Sequence, residues 1–413
     1  MTWAAAPDVV TGEKLSVTPV GTPVMVNVTG ALKPPVSVSV TVKLPLDPRA
    51  IVTLVETSQT FTACPFSNEV IVGLRDLKAQ QFGYDKLAAS GVVMAIATAT
   101  GVDTQKRAVT LNNGASLDYD RLIVAPGIDL HWGALPGYTE ATAERMPHAW
   151  KAGPQTQLLR NQLEAMEDGG TVLISAPPNP FRCPPGPYER ASLIAYYLKT
   201  KKPRSKVIVL DAKDAFSKQG LFQNAWKEFY PNLEWVSLSK GGKVNSVEAG
   251  AMTLVTDFER YKGDVVNVIP PQKAGRIADV AGLTNNTGWC PINPETFESA
   301  LQANIHVVGD ATIAGAMPKS AFTANAQAKV CAAAVVKLLA GQKPEEPRLI
   351  NTCYSLVAPD YGISVANVFR PKDGMLVDAG GGVSPINAPP ALRAQEAVLA
   401  NGWFKTITEE VFG

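Results

Sequence analysis

Histidine is scarce in this chain of 413 residues, and its cysteines lack the spacing of metal or haem sites. Only three histidines occur, so a histidine-based metal site or a Ser-His-Asp triad has little material. No two of the five cysteines fit Cys-x-x-Cys, which argues against a zinc ribbon, a thioredoxin motif and a c-type haem attached to this chain. His306 lies in an apolar strand pattern, and we expect it in the core.

A strong net charge and long apolar runs are also lacking. The formal net charge is +1, so the composition indicates no nucleic-acid or acidic-lipid surface. No apolar run approaches the roughly 18 residues of a membrane-spanning helix, and no span is predicted. No basic region followed by an apolar core marks an export signal at the start. The length allows two or three domains with large cores.

The most informative segment present is a proline-stiffened turn, Pro-Phe-Arg-Cys-Pro-Pro-Gly-Pro-Tyr-Glu-Arg at 180–190. Prolines on both sides restrict the backbone around Cys183, and Glu189 follows six residues later. A rigid thiol beside a carboxylate suggests a redox site. The alternative is a buried free cysteine that packs as a small hydrophobe, with a surface glutamate nearby. Glu189 itself is either an acid/base near the sulfur or a helix N-terminal carboxylate that favours the dipole.

Four further segments accompany this turn. They are Thr-Ala-Cys-Pro-Phe-Ser-Asn-Glu-Val at 62–70, Tyr-Asp-Arg-Leu-Ile-Val-Ala-Pro-Gly at 119–127, Ile-His-Val-Val-Gly-Asp-Ala at 305–311 and Met-Pro-Lys-Ser at 317–320. In this order they resemble the flavoprotein subunit of flavocytochrome c sulfide dehydrogenase, a relative of the disulfide reductases. The resemblance extends from Asp47 to Gly413.

The resemblance implies an α/β fold with two Rossmann-like FAD/NAD(P)-type domains, as in disulfide reductases, and a C-terminal α+β interface domain. The boundaries that follow are 1–150 for the first part of the FAD-binding domain and 151–275 for the second Rossmann-like domain. Residues 276–344 form the second part of the FAD-binding domain, and 345–413 form the C-terminal domain.

The resemblance also implies the cofactor and the redox centre. FAD is expected to be bonded through its 8α carbon to Cys64, and a redox disulfide is expected between Cys183 and Cys353. Asp310 resembles the acid that hydrogen-bonds the ribityl chain, and Gly309 lets the backbone approach closely.

Four more residues complete the expected FAD site: Glu56, Gly127, Lys319 and Trp403. Glu56 ends an apolar run at 51–56 that predicts a buried parallel strand, where an acid can hydrogen-bond the adenosine ribose. A plain strand-end carboxylate is the alternative. The Ala-rich segment 320–339 predicts a helix whose positive N-terminus faces the flavin.

Periodicity predicts the remaining elements. Residues 91–127 indicate an antiparallel meander, and a helix begins near Pro154 with apolar residues at i, i+4 and i+7. A second α/β unit is expected from a strand at 171–175, a helix at 188–198 and a strand at 207–210. A strand at 265–271 is expected to return to the first domain, and 306–310 to end its sheet. Cys290 and Cys331 are expected to be buried structural thiols.

The second α/β unit lacks a nicotinamide nucleotide signature. Such a site needs glycines after the strand at 171–175, so that the backbone can approach a pyrophosphate. The chain has Ala-Pro-Pro-Asn-Pro at 176–180 instead, and prolines remove amide donors. We therefore predict that this domain binds no NAD(P).

The first 46 residues depart from the family. They contain no Gly-x-Gly-x-x-Gly, and the alternation Val-Ser-Val-Ser-Val-Thr-Val at 36–42 predicts a strand where the pyrophosphate helix belongs. We expect this segment to be poorly packed or irregular, to form no FAD-phosphate turn and to leave FAD affinity weak. A reading-frame error in the gene model and a genuine variant that lost tight FAD binding are both open.

The resemblance implies that sulfide attacks the Cys183–Cys353 disulfide and that electrons pass through the flavin to a c-type cytochrome subunit in the periplasm. A quinone-linked sulfide oxidoreductase is the alternative enzyme. It would need an amphipathic, membrane-facing C-terminal segment, and Ile-Thr-Glu-Glu-Val-Phe at 407–412 has too little basic or apolar character. A non-catalytic remnant with impaired FAD binding is the third possibility.

Overall fold

The computed structural model describes residues 50–413 and, before them, the backbone of two strands, β1 (Val24–Leu32) and β2 (Val36–Leu44). These strands pair antiparallel, with Val24 opposite Leu44. The strand predicted at 36–42 is confirmed, as expected for alternating β-branched residues. The irregular structure expected for 1–46 is wrong for these two strands, because they form a continuous ladder. The rest of that segment lies outside the described residues.

The next part of the chain consists of short strands and short helices. The strands are β3 (Thr53–Glu56), β4 (Thr60–Thr62), β5 (Gln81–Gly83), β6 (Val93–Ile96), β7 (Ala99–Asp103), β8 (Ala108–Leu111), β9 (Ser116–Asp118), β10 (Leu122–Val124) and β11 (Ile128–Leu130). The helices are α1 (Ser67–Ile71), α2 (Asp85–Ala89) and α3 (Glu140–Ala143). Strands β7, β8 and β9 pair antiparallel, so the predicted meander is confirmed.

A second domain follows, built on a parallel sheet with the order β14-β13-β12-β18. Its elements are α4 (Pro154–Ala165), β12 (Thr171–Ala176), α5 (Gly186–Lys201), β13 (Lys206–Asp211), α6 (Gln219–Phe229), β14 (Leu233–Val236), β15 (Ser246–Glu248), β16 (Thr253–Val255), β17 (Arg260–Lys262) and β18 (Val265–Val268). The predicted helices and strands of this unit are confirmed. Leu159 and Leu163, on the apolar face of α4, are fully buried.

Strand β18 corrects one expectation. The sequence predicted that it returns to the first domain, but it lies parallel to β12 in the second sheet. β18 is an edge strand of that sheet, and all four of its residues are buried. The chain returns only with β19 (Gln272–Ala274), which pairs antiparallel with β11.

The chain then completes the first domain with α7 (Arg276–Val280), β20 (Cys290–Pro291), β21 (Ile305–Val307), β22 (Thr312–Ile313) and α8 (Ala321–Leu339). The strand predicted at 306–310 is confirmed as β21, which pairs in parallel with β10. Ser320 caps α8, because its Oγ accepts a hydrogen bond from the Thr323 N–H at 3.1 Å. His306, Cys290 and Cys331 are fully buried, as predicted.

The described parallel strands of the first domain form three separate pairs, of which β20 with β22 is the shortest. β3 pairs with β6 and β10 with β21, and no described strand joins the pairs. Ile51, Val52 and Ile123 keep 78%, 52% and 45% of their surface exposed. The parallel strand predicted at 51–56 is therefore confirmed from Thr53 onward, but its predicted burial is wrong, because β3 has a partner on one edge only among the described strands.

The C-terminal domain is an antiparallel sheet covered by a helix. Its elements are β23 (Leu349–Ala358), β24 (Tyr361–Lys372), β25 (Met375–Val383) and α9 (Pro390–Phe412). The α/β fold with a C-terminal α+β domain is confirmed. Among the helices of the described residues, none combines the length and apolar character that a membrane crossing requires.

Candidate functional site

The turn between β12 and α5 holds Cys183 in a fixed position. Its φ is +58°, and its N–H donates to the carbonyl oxygen of Lys319 at 2.8 Å. Gly186 begins α5 directly against the sulfur. A Cβ on that glycine would lie 3.0 Å from Cys183 Sγ and 2.7 Å from the Trp150 ring. The half-buried thiol thus sits at the N-terminus of a 16-residue helix.

Cys353 comes to the same place from β23 of the C-terminal domain. Burial raises the pKa of the Cys183 thiol well above its ordinary value, and the nearby Cys353 and Glu189 raise it further. Pro184 and Pro185, which follow Cys183, line one cavity with Cys353, so the fold places the two cysteines that the resemblance pairs in one region. All five cysteines are thiols in this structure, and the disulfide between Cys183 and Cys353 stays a prediction.

Glu189, in the first turn of α5, connects three elements at this point. Its Oε2 accepts from Asn68 Nδ2 at 2.9 Å, and its Oε1 accepts from the Leu356 N–H at 2.8 Å. Burial raises the pKa of this carboxyl, while the Leu356 amide, Lys218 and Asn68 act in the opposite direction. A raised pKa and contacts beyond its own helix favour acid/base work over a simple helix-terminal charge. The role itself stays a prediction.

Arg190 supports this arrangement and was missed by sequence reasoning. Its fully buried guanidinium donates to Asn68 Oδ1 at 3.0 Å, to Asn267 Oδ1 at 2.8 Å and to the His148 carbonyl at 3.1 Å. Burial lowers its pKa to about 9. Because Asn68 accepts from Arg190, its amide nitrogen is directed at Glu189. An arginine beside an acid in a helix's first turn was the available signal.

The predicted ribityl end of the FAD site is recognisable at Asp310. It follows Gly309, whose φ of +78° favours glycine. Asp310 Oδ1 is buried and has no hydrogen-bond partner among the described residues. Burial raises the pKa of this carboxyl, and Arg182 and Lys319 oppose that rise. A buried acceptor without a donor fits the hydroxyl group of a ribityl chain.

Lys319 stabilises the turn around Asp310 through hydrogen bonds to the backbone. Its Nζ donates to the carbonyl oxygens of Asp310 at 2.8 Å and Thr312 at 2.6 Å, and lies 3.8 Å from the Trp289 ring centroid. Burial lowers its pKa to about 8. The structure thus gives Lys319 a supporting contact, and its predicted contact with FAD stays a prediction.

Arg182 connects the predicted flavin site with the cysteine turn. Burial alone would lower its pKa, but Cys64, Asp310 and Cys183 raise it above the ordinary value of a guanidinium. Its Nε lies 4.0 Å from Asp310 Oδ2. Cys64 itself lies half-buried in the turn between β4 and α1, where its carbonyl accepts from the Ser67 N–H at 3.1 Å. One guanidinium therefore neighbours the proposed attachment, ribityl and redox residues.

Of the other predicted FAD residues, Glu56 and Gly127 lie at or near strand ends, and Trp403 lies within α9. Glu56 ends β3 and accepts from the Ser58 N–H at 3.2 Å. Gly127 follows β10 with a φ of +61°, and a Cβ there would meet no atom within 4 Å. Trp403 stacks on Phe322 in the first turn of α8, with ring centroids 6.2 Å apart. Their contacts with FAD stay predictions.

A closed side-chain cluster lies where a nicotinamide nucleotide would bind in the second domain. Asp211, at the carboxyl end of β13, is fully buried. It accepts from Tyr188 Oη at 2.5 Å, Trp235 Nε1 at 2.9 Å and Lys213 Nζ at 2.6 Å. Phe216 stacks on Tyr188 with centroids 3.5 Å apart. The acid that could bind a ribose is thus engaged by side chains, which supports the prediction of no NAD(P) site.

A small cavity of about 150 Å³ opens beside Cys353. Pro184, Ser217, Asn351 and Asp378 are among the residues that line it. Pockets for drug-sized ligands occupy roughly 300–1,000 Å³, so this cavity suits a small inorganic species better than a ring system.

Two family models match the chain. Residues 156–270 match the central part of the sulfide dehydrogenase [flavocytochrome c] flavoprotein chain, and residues 345–412 match the flavocytochrome c sulphide dehydrogenase flavin-binding model. The resemblance stated from the sequence is confirmed.

Curated relatives match at low identity. The mitochondrial sulfide:quinone oxidoreductase of Mus musculus is 21% identical over 71% of this chain and 66% of its own length. The Dictyostelium discoideum enzyme of the same name is 21% identical over 50% of this chain and 47% of its own length. The chain thus spans about two thirds of the first relative and about half of the second.

Solved structures share the fold. The sulfide:quinone oxidoreductase from Aquifex aeolicus has a TM-score of 0.64 at 16% identity, over 87% of this chain and 86% of that one. An NAD-dependent persulfide reductase from A. fulgidus has a TM-score of 0.55 at 15% identity, over 87% of this chain and 73% of that one. At such identities the likeness shows the fold alone.

Proposed function

We propose, on the premise that this chain is a relative of the flavocytochrome c sulfide dehydrogenase flavoprotein chain, that it oxidises sulfide through Cys183 and Cys353. One observation carries the proposal. Cys353 lines the same small cavity as Pro184, the neighbour of Cys183, and half-buried Glu189 bonds to the Cys353 strand at the Leu356 N–H. Arg182 of the Cys183 turn lies 4.0 Å from the predicted ribityl acid Asp310.

The chemistry begins with hydrosulfide at the oxidised cysteine pair. Hydrosulfide donates an electron pair to one sulfur of the Cys183–Cys353 disulfide, the S–S bond breaks, and the other sulfur leaves as a thiolate. The product of the attack is a cysteine persulfide. Glu189 is suited to take the proton that the persulfide releases, because its raised pKa lets a carboxyl hold a proton closer to neutral pH. A further hydrosulfide frees the sulfur as polysulfide.

Bound FAD would supply a two-electron acceptor for the reduced cysteine pair, whose oxidation restores the disulfide, and a donor of single electrons to an external acceptor. Asp310 is the residue suited to hold the ribityl chain, because its Oδ1 is buried and receives no hydrogen bond from the described part of the chain. Cys64 is the proposed covalent attachment point. Arg182, placed between Asp310 and Cys183, orients both sides of the site.

The proposed acceptor is a c-type cytochrome subunit, and the proposed location is the periplasm. The description of the matching family supports this acceptor. The cluster around Asp211 supports electron exit by a route other than NAD(P). A quinone acceptor is the second candidate, because both curated relatives are sulfide:quinone oxidoreductases.

The test is a paired acceptor assay on the purified, FAD-loaded protein. Sulfide-dependent reduction of a soluble c-type cytochrome is compared with reduction of a short-chain quinone analogue at equal sulfide. We expect turnover with the cytochrome and loss of turnover in Cys183→Ser. Turnover with the quinone alone would identify the protein as a quinone-linked sulfide oxidoreductase. Turnover with neither acceptor would support the non-catalytic remnant.

A further inference from the structure

Lys218 is a buried cation that contacts the strand carrying Cys353. It precedes α6 with a left-handed backbone, φ +62°, and keeps only 8% of its surface exposed. Its Nζ donates to the Cys353 carbonyl oxygen at 2.8 Å and to Ser355 Oγ at 2.8 Å. Both acceptors are neutral, so neither cancels the positive charge placed beside the sulfurs.

The strand is held from two sides. Lys218 contacts it at Cys353 and Ser355, and Glu189 accepts from the N–H of the next residue, Leu356, at 2.8 Å. A cation and a carboxyl from the second domain thus fix the same short stretch of β23. This arrangement positions the Cys353 backbone independently of a disulfide.

We propose that Lys218 is a positioning residue for sulfur chemistry, and that it makes Cys353 the first of the two cysteines to lose its proton in the reduced pair. This inference deepens the proposed function, since it assigns the thiolate of that site. Removing the proton from Cys353 creates a negative charge on the residue whose carbonyl oxygen Nζ contacts, and the proton passes to solvent or to a neighbouring base.

The charges around the pair agree with this assignment. Burial raises the pKa of the Cys353 thiol, Lys218 lowers it and Glu189 raises it. Burial lowers the pKa of Lys218, and the charges of Cys353, Glu189, Cys183 and Glu396 of α9 oppose that shift. The pKa of Cys183 is raised well above its ordinary value by burial, Cys353 and Glu189, and Arg182 and Lys218 counteract only part of the rise.

The test measures alkylation of each cysteine with iodoacetamide as a function of pH, read by mass spectrometry of the modified peptide. It needs no flavin and no turnover, so it stands apart from the acceptor assay. Cys353 is measured in the Cys183→Ser variant, and Cys183 in the Cys353→Ser variant. We expect Cys353 to titrate at the lower pH. An opposite charge within about 4–6 Å typically moves a pKa by about 1–3 units. Lys218→Met should therefore slow alkylation of Cys353 near pH 8 by about tenfold.

Two matched variants separate the effect of the positive charge at position 218 from the effect of the hydrogen bonds that Lys218 donates. Lys218→Arg keeps the charge and should keep the alkylation profile, while Ser355→Ala removes one hydrogen bond to Nζ and should shift it little. The proposal is overturned if Cys353 titrates at or above Cys183, if Lys218→Met leaves the profile unchanged, or if Lys218→Arg shifts it as far as Met. Should Lys218→Met fail to fold by circular dichroism, the order of the two cysteines still decides.

Discussion

Glu189 Oε1 accepts a hydrogen bond of 2.8 Å from the Leu356 N–H, which ties the helix behind Cys183 to the strand that carries Cys353. Glutamine at position 189 can keep this hydrogen bond but cannot take up a proton. Proton transfer by a positioned side chain contributes roughly 10²–10⁴-fold. We therefore expect Glu189→Gln to lower sulfide-dependent turnover by about 10²-fold or more. If Glu189→Gln keeps full activity across the pH range, Glu189 is no acid/base, and its remaining role is that of a carboxylate at the helix N-terminus.

The same residue predicts a pH dependence of stability. Burial raises the pKa of Glu189 in the folded protein, so folding favours its protonated form. Its contribution is complete below the ordinary range of a glutamate carboxyl and is lost as pH rises through the raised value. As pH rises from acidic to mildly alkaline, the parent loses this contribution and Glu189→Gln does not. We therefore expect the Tm of the variant minus the Tm of the parent to increase with pH over this range. Parallel Tm curves of parent and variant would contradict a raised pKa.

Cys183→Ser and Cys353→Ser should each abolish sulfide-dependent reduction of the acceptor while leaving the flavin absorbance in place. The reason is that hydrosulfide attack requires a disulfide, whereas flavin retention is expected to depend on other residues. Cys331→Ala is the matched control, because this thiol is fully buried in α8 and takes no part in the proposed chemistry. Sulfide turnover that survives either serine substitution would refute the redox pair.

Cys64 should determine whether flavin can be extracted. In the parent protein we expect flavin absorbance to remain in an acid-precipitated pellet, because a thioether survives acid. Cys64→Ala should release all of the flavin into the supernatant. Flavin that stays with the Cys64→Ala pellet would show that the attachment lies elsewhere.

Helices and strands could be predicted from local sequence patterns. The residues around the two cysteines could not, because they are brought there by contacts between distant parts of the chain. The strand β12 and the helix α5 were predictable because apolar runs and helical spacing are properties of a few neighbouring residues. Lys218 and Arg190 were not, because their partners Cys353 and Asn68 lie 135 and 122 positions away in sequence. Nothing near Lys218 in the chain marks it as part of a redox centre, and Arg190 has only the neighbouring acid Glu189 as a local signal.

Strand β18 shows the same limit. Its apolar run indicated a strand, but the run carries no information about which sheet it joins. Pairing with β12 became visible only from the register, with Val172 opposite Val265. The exposure of Ile51 was equally hidden, because it depends on a neighbouring strand that no described residue supplies.

Nicotinamide nucleotides should neither bind this protein nor reduce its flavin. Asp211 already accepts three side-chain hydrogen bonds, so a ribose would have to displace Tyr188, Trp235 or Lys213. We expect no change in Tm with millimolar NADH or NADPH and no bleaching of flavin absorbance under anaerobic conditions. A saturable rise in Tm would show that the cluster opens.

The unjoined strand pairs β3–β6 and β10–β21 of the first domain predict weak FAD affinity for the chain as written. β3 and β10 each have one strand partner among the described residues, and Ile51 and Ile123 remain exposed at these strands. A central parallel strand would cover both edges, and the glycine turn after it would supply amide donors to the pyrophosphate.

Replacing residues 1–46 by a strand, Gly-x-Gly-x-x-Gly and helix unit should therefore lower the FAD dissociation constant by at least about tenfold, because several charge-assisted hydrogen bonds of about 1.5–3 kcal/mol each become available. Fluorescence quenching of added FAD measures it in the Cys64→Ala background, where no thioether can form. The control carries the same unit with valine in place of the second glycine. It should restore the sheet without the phosphate contacts, since a Cβ there blocks the approach of backbone to pyrophosphate. Stoichiometric, tight FAD binding by the unmodified chain would show that residues outside the glycine turn suffice to hold the cofactor.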